Sequence, residues 1–276
     1  MIVVNNVIEL KRLINQRIEE QGPNCDLNDI DVRRLTDMSF LFSNSPFTGD
    51  ISKWDVSRVK DMDYMFYSSQ FNGDISRWNV GKVEVMSGMF ANSQFNNDIS
   101  RWDTSNVKNM YGMFEYSVFD GDISKWNVSK VENMLRMFSL SSFNGDISQW
   151  DVSNVKDMNF MFNSSQFNGD ISEWNVGRVE DMGFMFSGSQ FTGDISKWNV
   201  SRVENMAGMF SDSKFNGDLS KWDVSRVRSM NLMFADSKFK GDLSEWDTSN
   251  VKTMNDMFYL SPLSGKEPDW WRTGFR

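Results

Sequence analysis

Residues 47–70 read FTGDISKWDVSRVKDMDYMFYSSQ, and residues 71–94 read FNGDISRWNVGKVEVMSGMFANSQ. The two stretches align without a gap, and the same 24-residue register continues towards the C-terminus. Self-similarity at a period of about 20–50 residues is typical of a solenoid, in which each coil packs only on its neighbours. The repeat therefore predicts an elongated molecule. The register is marked by Trp54, Trp78, Trp102, Trp126, Trp150, Trp174, Trp198, Trp222 and Trp246.

The composition follows from this repeat. The chain of 276 residues has 20 Met and 23 Phe, and most of them recur every 24 residues in columns that begin at Met38, Met65, Phe42 and Phe47. A column here means the residues that occupy the same place in successive coils. Because one coil cannot bury so many apolar side chains alone, the columns predict a continuous core shared between neighbouring coils.

The charge and the rare residues exclude several functions. The net charge is −9, His is absent and there is one Cys. An acidic chain lacks the basic footprint of a direct nucleic-acid binder, and these counts leave no Cys/His metal site and no Ser-His or Cys-His nucleophile. We therefore expect no enzyme activity and no cofactor. The N-terminus lacks the pattern of a signal peptide, and no apolar stretch is long enough to span a membrane, which predicts a cytoplasmic protein without membrane contact.

Each coil is predicted to hold one strand and one helix. Trp54 and Val56 alternate with charged residues, which is typical of a strand at residues 51–56. Val59, Met62, Met65 and Phe66 then share one face of about two helical turns. The predicted fold is an α/β, leucine-rich-repeat-like solenoid of about ten 24-residue coils, each with one short parallel strand plus one short helix.

The ends of the chain depart from the register and predict caps. Val7, Leu10, Leu13, Ile14 and Ile18 follow a helical pattern that stops before Gly22. We therefore divide one domain into an N-terminal helical cap at residues 1–25, a solenoid at residues 26–258 and a C-terminal cap at residues 259–276. Terminal repeats need such caps because their outer face would otherwise expose the core.

The repeat also resembles a known family. The spacing Ile51-x-x-Trp54-x-Val56 matches the start of a leucine-rich repeat, L-x-x-L-x-L. The longer unit FNGDISxWDVSxVxxMxxMF at residues 143–162, and at 215–234 with Leu219 for Ile, resembles the BspA-like leucine-rich-repeat surface proteins of bacteria and the related mycoplasma lipoproteins. That resemblance implies a solenoid for adhesion or protein–protein recognition, a place at the cell surface and no enzyme activity.

Two polar or aromatic columns could bind a ligand. The Trp column could stack on sugars, but a place in the core is the favoured interpretation because Val56 shares its face. The column from Asp50 to Asp242 could bind calcium between coils, although an Asp that accepts hydrogen bonds from amides in a turn explains it without metal. We therefore predict structural roles for both columns.

Two further columns vary together. Asp55 occurs with Lys60, whereas Asn127 occurs with Glu132, and every regular coil keeps one of these combinations. The pattern predicts a capping box between Glu132 and Ser129 at the start of the helix. It also predicts attraction between coils, because the sign of the charge alternates over most of the column that contains Lys60.

Charged side chains on the predicted strand are the first candidates for a binding face, since the resemblance implies that this face is concave. Tyr111, Tyr116, Leu135, Arg136 and Leu140 are a second candidate set, and Trp270, Trp271 and Phe275 could form a contact between two copies, with cap packing as the alternative. The strand-face candidates are Lys53, Asp55, Arg77, Asn79, Arg101, Asp103, Lys125, Asn127, Gln149, Asp151, Glu173, Lys197, Lys221 and Glu245.

We therefore expect a non-enzymatic scaffold for protein–protein interaction or adhesion, either monomeric or dimeric through a cap, with an unidentified protein as its partner. Two alternatives remain. One is an acidic decoy that mimics nucleic acid and inhibits a DNA-binding protein. The other is a carbohydrate-binding solenoid, which requires exposed Trp rings.

Overall fold

The computed structural model describes residues 1–273, and these form a stack of coils. The regular elements are strand β1 (Ile2–Val3), helix α1 (Val7–Gln21), strand β2 (Ile30–Asp31) and helix α2 (Asp269–Thr273). Between β2 and α2 the chain is a succession of turns. Single parallel bridges link positions 24 residues apart, from Asp37 with Asp61 to Ser229 with Thr253. The predicted repeat solenoid is confirmed.

The predicted strand and helix within each coil are wrong. In the segment expected to be helical, the amides of Met62, Tyr64 and Phe66 donate to carbonyls of the next coil at 2.7–3.0 Å. The amide of Met65 donates to the Met62 carbonyl in a four-residue turn at 3.2 Å. Amides thus alternate between bonds within the coil and bonds between coils. We name residues 60–70 and their equivalents the turn ladder.

The expected strand at residues 51–56 is also a turn, because the Trp54 amide donates to the Ile51 carbonyl at 3.1 Å. The residues of the predicted strand and helix nevertheless point their apolar side chains into one core. Trp126 is 3% exposed, and Met134 and Phe138 are fully buried. The predicted core position of the Trp column is confirmed.

Coil spacing differs between the two sides of the solenoid. Equivalent rings in successive coils are one repeat apart, so their centroid distance measures the local spacing. It is 5.4–6.0 Å along the column of Phe42 and Phe258 and 6.4–6.5 Å between tryptophans. A parallel backbone ladder requires about 4.8 Å. The spacing between coils therefore increases from the turn ladder towards residues 47–59 and their equivalents. The turn ladder lies on the concave side, and we name residues 47–59 and their equivalents the outer half.

Both ends of the stack are covered. Helix α1 begins after Asn6, whose side chain accepts from the Glu9 amide, and it buries Leu10 and Ile14 against the first coil. Strand β1 pairs in parallel with β2. At the other end, Trp270 and Trp271 pack on the core, and the Trp270 indole donates to the Leu243 carbonyl at 2.7 Å. Cap packing thus accounts for both tryptophans, whereas Phe275 lies outside the described residues.

Candidate functional site

The aspartates of the outer half hold turns together. A carboxylate oxygen of Asp122 accepts from the Ser124 amide at 2.9 Å, and all nine Asp of this column, from Asp50 to Asp242, make the same bond. Hydrogen bonds from the Ser124 hydroxyl and amide lower the pKa of Asp122. The predicted structural role of these residues is confirmed. Within residues 1–273 no group of three or more Asp, Glu or Cys is arranged to hold a metal.

The covarying columns act through turns and ion pairs. Asp55 accepts from the Ser57 amide and Asn127 from the Ser129 amide, both at 3.0 Å, so either residue closes the turn. The predicted capping box is wrong: there is no helix here, and Glu132 instead accepts from Lys156 at 2.7 Å. The predicted attraction between coils is confirmed by this pair and by three others: Lys60–Glu84, Lys108–Glu84 and Arg228–Glu204.

The charged residues predicted as a binding face are all exposed, but their surroundings differ from the expectation. They lie on the outer half, where the coils are widely spaced, so the expected concave position is wrong. Several of them already have partners, because Asp55 and its equivalents close turns and Lys197 contacts Glu173 at 3.2 Å. Whether this surface binds anything stays a prediction.

The concave side carries a different set of side chains. We name as the ladder face the columns that contain Asp63, Tyr64, Tyr67 and Ser68, whose side chains lie outside the core on the turn ladder. These four columns vary from coil to coil, whereas the core columns hardly change. The second candidate set from the sequence, which includes Tyr116 and Arg136, belongs to this face. The face also holds exposed apolar residues that the sequence reasoning missed, namely Phe40, Leu232, Tyr259 and Leu260.

The backbone of the ladder face favours glycine. Within residues 1–273, all sixteen non-glycine residues with positive φ lie in the columns of Tyr64 and Ser68, at φ from 50° to 59°. A left-handed conformation costs an ordinary residue about 1–2 kcal/mol. Four coils do place glycine in these columns, at Gly88, Gly112, Gly188 and Gly208. Yet bulky residues such as Phe160 and Leu232 occupy the strained conformation elsewhere. The fold does not require these large side chains, so they call for a functional explanation.

Aromatic residues of the ladder face form two clusters. Phe40 stacks on Tyr64 at 5.2 Å in the first, and Phe160 stacks on Phe184 at 4.7 Å in the second. The Tyr64 and Phe184 rings each lie against a glycine of the next coil, Gly88 and Gly208 respectively, where a Cβ atom would collide with them. The two clusters are therefore fixed by the coils that follow them.

The first cluster contains four of the five tyrosines of the chain. Tyr64 meets Tyr67 edge to face at 5.5 Å. Burial, with Tyr111 close by, raises the pKa of Tyr64 to about 12. Tyr67 and Tyr116 line a cleft of about 370 Å³, together with Ala91, Asn92 and Glu115.

One cation of the ladder face is held by a carboxylate and a ring. Arg136 donates to Glu115 at 2.9 Å, and its guanidinium carbon lies 4.7 Å from the centre of the Phe160 ring. Both contacts favour a guanidinium group. Arg136 thus joins the two aromatic clusters across the middle coils.

These features define a repeat solenoid with a constant core and a variable concave face. A family model described as "Mycoplasma protein of unknown function, DUF285" matches residues 9–118, 91–192, 115–214 and 163–271. The chain belongs to this family. The match confirms the mycoplasma-type repeat, whereas the BspA-like leucine-rich-repeat assignment stays a prediction. No curated protein and no solved structure shows significant similarity to the chain. Among the described residues, no helix is long and apolar enough to cross a membrane.

Proposed function

We propose that the protein is a non-enzymatic protein-interaction scaffold that binds its partner on the ladder face. The observation that carries this proposal is the presence of large side chains at left-handed positions where glycine also fits. Phe160 and Phe184 hold φ of 56° and 54°, whereas Gly208 occupies the same column at 59°. The left-handed backbone disfavours bulky residues at these positions, so we attribute them to binding.

The composition of the face supports a protein partner. Six of its side chains are exposed large apolar or aromatic groups, and among the described coils they account for nearly all exposed residues of this kind: Phe40, Tyr116, Leu140, Leu232, Tyr259 and Leu260. Aromatic residues and Arg are enriched at the energetic centres of protein interfaces. The carbohydrate alternative loses its basis, because the Trp column from Trp54 to Trp246 is only 3–4% exposed.

The test compares two surfaces of one molecule. The protein captured most strongly by the wild type in its native setting is purified, and its dissociation constant is measured for two variants. Phe160→Gly with Phe184→Gly alters the ladder face at glycine-compatible positions. Arg77→Glu, Arg101→Glu and Lys125→Glu alter the outer half.

We expect the ladder-face variant to bind at least about tenfold more weakly, since two anchor rings are lost. The outer-half variant should bind like the wild type. Loss of binding in the outer-half variant alone would contradict the proposal and favour the charged face. Circular dichroism of both variants verifies that they are folded.

A further inference from the structure

We propose that the cleft between Tyr67 and Tyr116 binds an arginine side chain of the partner protein. This inference rests on the proposed function, because it specifies what one part of the ladder face recognises. The cleft has two phenol rings as walls, and Ala91 in the coil between them leaves the space open. Glu115 also lines the cleft and supplies a carboxylate.

The walls of the cleft are held in different ways. The edge-to-face contact with Tyr64 at 5.5 Å supports the Tyr67 ring. Tyr116 has φ of 54° and is 58% exposed, so it adopts a strained backbone conformation without burying its ring. Asn92, which also lines the cleft, donates to the Ser68 hydroxyl at 2.8 Å. The structure thus presents one exposed ring opposite a supported ring, with a gap between them.

The charge around the cleft favours a cation. Glu115 lines it, and the carboxylates of Asp63 and Glu115 add to the effect of burial in raising the pKa of Tyr64. Burial raises the pKa of Asp63, and the neighbouring carboxylates of Asp61 and Asp37 raise it further. Arg136, which contacts Glu115, is already engaged with this carboxylate. An acidic, aromatic site complements a basic side chain.

Arginine fits this site better than a compact ammonium group. Its planar guanidinium stacks on aromatic rings and donates to a carboxylate at the same time. The protein already uses that combination for its own Arg136, which contacts Glu115 and the Phe160 ring. Glu115 uses only its Oε1 atom for this bond, which leaves Oε2 for an incoming donor.

The experiment follows the five tyrosines by nuclear magnetic resonance in protein labelled with ¹³C at the tyrosine ring. The probes are amidated tetra-arginine, amidated tetra-lysine, choline and tetra-glutamate. We expect tetra-arginine to shift the Tyr67 and Tyr116 signals in a saturable manner and to leave Tyr259 in place. Tetra-lysine and choline should bind about fivefold or more weakly, and tetra-glutamate should have no effect.

Two variants make the test specific. Tyr116→Gly is compatible with the left-handed backbone and should abolish the saturable shift of Tyr67. Glu115→Gln keeps the shape of the side chain and should weaken tetra-arginine binding about fivefold or more. Tyr259→Ala, on the same face but far along the chain, is the control and should bind like the wild type.

Several results would overturn the inference. One is movement of all five tyrosine signals in proportion to peptide concentration, which indicates general attraction to an acidic protein. Others are full binding by Tyr116→Gly, or equal binding of choline and tetra-arginine. Failure of the proposed function is a separate result: the cleft then binds tetra-arginine, but Phe160→Gly with Phe184→Gly leaves partner binding unchanged.

Discussion

Each buried tryptophan contributes a ring to the core and a hydrogen bond between coils. The Trp126 indole N–H donates to the Ile99 carbonyl at 3.1 Å, and its ring stacks on Trp102 at 6.4 Å. The same bond to the preceding coil recurs along the column from Trp54 to Trp246. It satisfies a buried donor and links neighbouring coils on the side where they are too far apart for a backbone ladder.

Trp126→Phe should therefore lower the free energy of unfolding by about 2–4 kcal/mol. The variant removes the hydrogen bond from the indole to the Ile99 carbonyl, which keeps its bond from the Trp102 amide at 3.2 Å, and it opens a cavity in the core. Chemical denaturation followed by circular dichroism measures the change. Tyr259→Phe, at a residue that is 55% exposed, should leave stability within about 0.5 kcal/mol. Equal effects of the two substitutions would contradict this role for the indole.

Strained residues of the ladder face should respond to glycine in an unusual way. Leu232→Gly removes an exposed apolar side chain at φ 59°, so relief of strain offsets the entropy that glycine loses on folding. We expect the free energy of unfolding to be unchanged or raised by up to about 1 kcal/mol. Thermal and urea denaturation would show it. Val118 is similarly exposed but has no left-handed backbone, so Val118→Gly should destabilise the protein by about 0.5–1 kcal/mol.

The coil is an element made of turns, and the polar residues that close its turns determine its shape. Asp122 and Asn127 each accept from the amide two residues later, as does Ser117 from the Phe119 amide at 3.1 Å. Such local bonds stabilise turns and compete with a helix or a strand. Amides left free by the turns then bond across coils. The element is thus defined by alternation of local and inter-coil bonds.

Asp122→Ala should destabilise the protein at pH 7 by about 1 kcal/mol, because the Ser124 amide loses its acceptor. Asp122→Asn retains an oxygen that accepts the same bond and should be nearly neutral. Urea denaturation of both variants measures the difference. If Asn and Ala were equally harmful, the negative charge and not the turn bond would be the essential feature of this column.

The sequence predicted the repeat, the core columns and the role of Asp50, but not the structure of the coil. Met62 and Met65 are three residues apart in a helix and also in successive turns, so their spacing does not separate the two. A signal did exist. The columns of Tyr64 and Ser68 hold four Gly with several Asn and Asp, which tolerate positive φ, and this disfavours a helix there. Within a single coil, Tyr64 alone does not indicate a positive φ.

At the scale of the whole molecule, the unequal spacing of coils separates two surfaces. The outer half carries constant turn residues, and the concave side carries the variable ones. In the sequence, charge made Lys53 and its equivalents conspicuous, whereas the ladder face mixes tyrosine, leucine, arginine and glycine without a regular pattern. The structure shows that bulky residues of the ladder face adopt a left-handed backbone, which costs energy.

The stacked aspartates allow a test for metal. Because each carboxylate of the Asp50 column already accepts a hydrogen bond from the amide two residues later, the turns are complete without a cation. We expect excess EDTA to leave the melting temperature unchanged. Addition of calcium to the dialysed protein should also leave it unchanged. A calcium-dependent rise of several degrees would contradict the turn role as the full explanation and revive the metal hypothesis.

The acid stability of the whole stack should follow from the same column. Hydrogen bonds from serine lower the pKa of Asp50, Asp122 and Asp242, as they do for the other members of the column. A carboxyl with a lowered pKa stabilises the fold above its unfolded value of about 3.9, and this stabilisation is lost as the pH falls towards the folded value. Burial raises the pKa of Asp63 and Asp157, and this effect acts in the opposite direction. Since the chain has no His, the melting temperature should be nearly constant from about pH 5 to 8 and fall below about pH 4.

Calorimetry across this range, repeated at high salt to screen long-range repulsion, measures the effect. A melting temperature that rises on acidification below about pH 4 would contradict the assignment.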